Sequence, residues 1–148
     1  MSYCTRAHIE ARLPSRTLLH FTDLDQDGVE DVGVVDSAID EASAEVESYL
    51  AVRYPVPVSP VPRVLAGAAT SVAIWNLARG RGYDAESADK AIRMAYDDAM
   101  KWLKALGGGT AQLPSANVGG TTAATAPTPG FKLVTRPPTL IGKLDRYG

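Results

Sequence analysis

Val34-Val-Asp-Ser-Ala-Ile-Asp-Glu-Ala-Ser-Ala-Glu-Val-Glu-Ser-Tyr-Leu-Ala-Val-Arg53 decides the fold class. Its apolar positions, Val35, Ile39, Ala42, Val46, Tyr49 and Leu50, are separated mostly by four and three residues. That spacing draws one stripe along an α-helix. Asp36, Asp40, Glu41, Glu45 and Glu47 fall mostly elsewhere and are expected to face water. Acidic residues near its start also suit the positive end of the helix dipole.

The same reasoning works outward in both directions. Ser2 or Thr5 can cap a short helix through about Leu13, and Pro14 breaks it. Ser15 can cap a second short helix, Arg16 to Phe21. Downstream, Tyr54 to Pro62 holds four prolines and reads as a stiff extended connector. A helix over about 62–79 follows, rich in small residues and apolar on most sides. Such a helix is central to a bundle or lies in a contact between subunits. Gly80 and Gly82 are expected to end it. A last helix is expected over about Ala85 to Leu106, capped by Asp84 or Ser87 and stopped by Gly107. Its expected stripe is Ala88, Ile92, Ala95, Ala99, Trp102 or Leu103, and Leu106, with Asp97 and Lys101 as a charge pair.

The expected fold is therefore all-α, a small helical bundle of about three long and two short helices. Residues 1–106 form its body. Residues 107–148 form a Gly/Thr/Pro-rich spacer and an extended arm. Phe131, Leu133, Val134, Arg136, Leu140 and Ile141 on that arm are the expected partner-binding residues, since the apolar ones would otherwise stand in water. A frayed tail is the alternative.

Length and composition agree with one ordinary domain: 148 residues, 45% hydrophobic and 22% charged. A net charge of −2 argues against a dedicated nucleic-acid binder. Cys4 stands alone, so no internal disulfide can form. It lacks a basic neighbour in sequence and is expected to be inert. No secretory leader is visible, and the longest nearly apolar run, Val64 to Trp75, is too short for a bilayer. The expected setting is intracellular, with no membrane.

Chemistry is sparse. No phosphate loop, dinucleotide fingerprint or Cys/His metal pattern appears, and no nucleophile–base–acid set, so an enzyme is not expected. His8 and His20 are expected at the surface or in caps, and Trp75 and Trp102 as core or interface anchors. Arg79, Arg81 and Arg93 are expected on a solvated face. One motif stands out, Asp23-Leu-Asp25-Gln-Asp27-Gly28-Val29-Glu-Asp31. Alternating carboxylates with a glycine at the sixth position match the start of a Ca²⁺ loop, with the Val29 carbonyl and Asp31 as further ligands. The twelfth position is Val34 rather than Glu, so any Ca²⁺ is expected to bind weakly, with Kd of ~10⁻⁴ to 10⁻³ M. The alternative is an acidic turn whose Asp side chains bond nearby amides while Gly28 supplies the unusual dihedral.

Residues 1–14, the Asp-rich turn, and Glu45-Val-Glu-Ser-Tyr-Leu-Ala-Val-Arg-Tyr-Pro-Val-Pro57 resemble the Mu-like phage neck proteins. The Ser48 to Pro57 block is the most specific part, and the resemblance runs to about residue 106. It implies a head–tail connector adaptor, a ring expected to be a dodecamer in the virion neck. The implied partners are the portal protein on one side and a stopper or tail-completion protein on the other. DNA would pass through the lumen without specific binding. Other readings of the chain are a stopper or tail-terminator ring, and a small cytoplasmic cation-binding or protein-interaction module.

Overall fold

A computed structural model describes residues 1–82 and 89–114 of the chain. Five helices follow one another: α1 (Arg6–Glu10), α2 (Ser15–Thr22), α3 (Val34–Leu50), α4 (Arg63–Arg81) and α5 (Asp89–Gly108). No strand occurs among the described residues. The all-α bundle of three long and two short helices is as expected.

α4 is the central element and packs against each of the other four helices. Leu65, Ala69, Val72 and Ala73 have no exposed surface, and the stretch from Ala68 to Trp75 is buried without interruption. Its small residues therefore serve packing within this chain. Where helix backbones come close, buried hydroxyls find carbonyls one turn back. Thr70 Oγ1 donates to the Ala66 carbonyl at 2.7 Å, and Ser43 Oγ in α3 donates to that of Ile39 at 2.8 Å. No buried side-chain polar atom lacks a partner among the described residues. That matters because an unpaired buried polar group costs about 1–3 kcal/mol.

The expected stripe on α3 is the one that is buried, with Tyr49 half-buried at its edge. On α5 the face is rotated. Ala95 is exposed, whereas Ala99, Met100, Leu103 and Leu106 are buried and Ile92, Tyr96 and Trp102 are half-buried. The large side chains at Tyr96 and Met100 outweigh the alanine at 95 in choosing the buried side, because buried area carries the hydrophobic gain. Ala88 and the expected caps Asp84 and Ser87 lie outside the described residues.

Helix ends correct several expectations. Pro62 and Pro14 each precede their helix as its N-cap. α4 runs through Gly80 and stops at Gly82, whose φ of +98° suits glycine. α5 continues through Gly107 and Gly108 to a left-handed Gly109, with the Thr110 and Ala111 amides donating back to the Ala105 carbonyl. A Cβ at Gly107 would sit 3.0 Å from the Tyr49 carbonyl oxygen. At that point α5 needs a residue without a side chain to lie against α3. α3 itself ends at Leu50, and residues 51–53 form a turn in which the Leu50 carbonyl accepts from Arg53 and Tyr54. No helix among the described residues is long and apolar enough to cross a membrane.

Candidate functional site

The acidic turn joins α2 to α3. Asp23 is buried at its start, while Asp25 and Asp27 are exposed. One carboxylate oxygen from each of these three lies within 4.8 Å of the others. Backbone amides point into the group. Asp23 accepts from the Asp27 N–H at 3.1 Å and from the Gly28 N–H at 3.0 Å. Asp25 accepts from the Asp27 N–H at 3.2 Å, and Asp27 from the Val29 N–H at 2.7 Å. Asp31 turns back to the Leu24 N–H at 2.7 Å. Gly28 adopts φ +84°, as the motif requires, and Gln26 adopts φ +64°, which the sequence did not signal.

The arrangement of Asp23, Asp25 and Asp27 is what a turn stabilised by its own Asp side chains needs. It also gathers oxygen ligands of the kind a hard cation takes. The Asp27 N–H, bonded to Asp25, lowers that carboxyl's pKa. Desolvation and the charges of Asp27, Asp31 and Asp23 outweigh it and leave Asp25 above the ordinary range. Val29 projects its side chain into water, and Val34, at the twelfth position, is the first residue of α3.

Arg6 closes the turn from outside. Its guanidinium binds both carboxylate oxygens of Glu30, at 2.7 and 2.5 Å, and reaches Glu10 at 2.6 Å. Arg12 ties the end of α1 to α4 through the Gly67 carbonyl at 3.1 Å and Ser71 Oγ at 2.9 Å. Neither role was visible in sequence, because the partners lie 24 to 59 residues away. His8 acts in a cap, its Nδ1 accepting the Thr5 N–H at 3.2 Å.

The proline-rich connector is held by two tyrosines. The Tyr3 hydroxyl accepts the Val58 N–H at 3.0 Å, and the Tyr54 hydroxyl accepts the Leu113 N–H at 3.3 Å. The Val56-Pro57 and Ser59-Pro60 bonds of the connector are cis. Burial pushes the Tyr3 phenol up, against the Val58 amide and helped by the Glu47 carboxylate.

On the other side of the bundle, Trp75 of α4 stacks on Tyr96 of α5 with centroids 5.3 Å apart, and the Arg93 guanidinium lies 4.9 Å above Trp75. Arg93 also pairs with Asp97 at 3.0 Å. Arg93 and Arg79 are exposed, as expected of a solvated face, and Arg81 is half-buried. Lys101 bonds Asp98, at 3.2 Å, where Asp97 was expected.

A family model described as "Bacteriophage Mu, Gp36" matches residues 3–129. The chain belongs to this family. Among curated proteins, none matches it. The chain is a Mu-like phage protein, and the match extends past the expected limit near residue 106. In this Gp36-family body the Ser48–Pro57 block is where α3 ends and the connector begins, with Leu50 fully buried and Tyr54 holding Leu113. Phe131, Leu133, Val134, Arg136, Leu140 and Ile141 lie outside the described residues and beyond the family match.

Proposed function

We propose that this phage protein is a structural component of the virion, a head–tail connector adaptor that assembles as a ring, with twelve copies as the expected number. The portal protein lies on one side of it and a stopper or tail-completion protein on the other. The family match over residues 3–129 carries the reading. The fold is compatible with it. α4 packs against each of the other four helices, so the body is built on one shared core. Repetition around a ring lets weak contacts add. Acidic side chains toward a lumen would repel the phosphates of passing DNA. On this reading the chain is not an enzyme and carries no catalytic cofactor. The acidic turn is a joint between α2 and α3, with Ca²⁺ at most a weak stiffener.

Deleting the gene from its phage and imaging the particles by electron microscopy tests the proposal. DNA-filled or leaking heads beside separate, finished tails are expected. Normal joined virions would overturn it.

A further inference from the structure

A groove of about 370 Å³ opens where α2, α3 and α4 meet. Phe21, Ala38 and Leu77 form its buried floor, and the exposed Leu24 and Val32 stand on its rim. Val32 is fully exposed and Leu24 half exposed, so two large apolar side chains wait beside an apolar floor. On the α2–α3 side of the groove the charge is acidic, while Arg79 and Arg81 flank Gly80 on the α4 side. From Asp23 to Glu47 the chain carries ten acidic residues, and no Lys or Arg occurs between Arg16 and Arg53. Glu41 lines the groove itself.

The occupant that fits is in the same chain. Residues 131–146 carry Phe131, Leu133, Val134, Leu140, Ile141 and Leu144 together with Lys132, Arg136, Lys143 and Arg146, against a single Asp145. Apolar and basic groups are interspersed in the segment, and the groove offers an apolar floor with Glu41 in its lining. Reach is sufficient. The described chain ends at Pro114, next to Leu113, which Tyr54 holds just past the C-terminal end of α3. The groove lies at the N-terminal end of α3, at Val34, Ser37 and Ala38. The helix between them is about 25 Å long at 1.5 Å per residue. Residues 115–130 can extend to about 50 Å, twice that span.

We propose that residues 131–146 dock into the groove of their own chain, apolar side chains against Phe21, Ala38 and Leu77 and basic ones toward Glu41 and the acidic side of α3. The interaction does not depend on the neck assignment, since it is a property of the isolated chain.

The test is disulfide trapping in the full-length protein. Ser37→Cys places a thiol at the exposed groove edge and Thr135→Cys places one within the segment. Cys4 stays out of the reaction because it is buried. Under mild oxidation the pair is expected to close within one chain, running as a faster-migrating monomer on a non-reducing gel. Replacing Lys132, Arg136 and Lys143 by Glu is expected to cut the yield about tenfold. A control pair, Lys101→Cys with Thr135→Cys, samples exposed α5 and is expected to close at no more than a tenth of the groove pair's yield. Equal trapping at the groove and the control, no trapping at the groove, or trapping only between chains would each overturn the proposal.

Discussion

The Tyr54 hydroxyl accepts a hydrogen bond from the Leu113 backbone N–H, 3.3 Å away, across 59 residues of sequence. The residue that opens the proline-rich connector is thus tied to the segment that follows α5. Leu113 is buried there, and Ala111 packs on the same core. Tyr54→Phe keeps the ring and removes the acceptor. A net hydrogen bond of this kind contributes about 1 kcal/mol, so urea unfolding should shift by about that much. Amide exchange at Leu113 should accelerate more than at Leu103. Unchanged exchange at Leu113 would show that burial alone holds it.

Cys4 makes the protein sensitive to alkali. Burial pushes its thiol up to about 11, against a hydrogen bond to Thr70 and the Arg12 charge, which both lower it. The folded state then keeps a proton that the unfolded chain releases from an ordinary value of 9.0 upward. The unfolded state binds fewer protons in that window, so stability falls as pH rises from about 9 to 11. A two-unit difference corresponds to about 2–3 kcal/mol by the end of the window. Denaturation midpoints of the wild type and Cys4→Ala, measured at pH 7.5 and at pH 10.5, should converge at the higher pH. Parallel curves would show that the thiol does not titrate on unfolding.

Within the acidic turn, Asp25 is the carboxylate held above its ordinary pKa, with the charges of Asp27, Asp31 and Asp23 around it. The folded state binds its proton more tightly than the unfolded chain. The resulting penalty is fully present at neutral pH and disappears as pH falls below the ordinary carboxylate range. Asp25→Asn should therefore raise the melting temperature at pH 7 in chelator-treated buffer and lose that advantage near pH 3.5. Millimolar Ca²⁺ should raise the wild-type melting temperature and leave the variant unmoved. Equal responses of the two proteins to Ca²⁺ would identify the turn as one held by its own amides alone.

How far the sequence could be read follows from the range of the interactions. The α3 stripe, the start of α4 at Pro62 and the glycine in the acidic turn are local signals that match the structure within a residue or two, whereas α1 ends at Glu10, three residues short of the expected Leu13. Short-range patterns failed where a distant neighbour decides. The glycine at 107 is a close-packing residue against the Tyr49 carbonyl rather than a helix stop, and α5 turns Tyr96 rather than Ala95 inward, where Trp75 offers a stacking face. Arg6, Arg12, Tyr3 and Tyr54 hold the joints of the fold through partners 24 or more residues away, beyond any periodicity. The acidic motif was legible as two alternatives. The carboxylate geometry serves both, since amides and a cation would draw on the same oxygens.

α4 provides the sharpest test of how the bundle is built. The sequence left two roles for its small residues, a centre of one chain or a contact between chains. Ala69 has no exposed surface, and α4 touches every other helix of its own chain. Ala69→Leu should therefore overpack the interior, at a cost of about 1–3 kcal/mol. The loss should be independent of protein concentration, because the space being filled lies inside one molecule. Val64→Ala serves as the comparison, since Val64 is half exposed on the same helix. It should change stability by less than about 0.5 kcal/mol, as surface substitutions do. Chemical denaturation of both variants at two protein concentrations tenfold apart checks the argument. A midpoint for Ala69→Leu that moves with concentration while the wild type stays fixed would place Ala69 in a contact between chains instead.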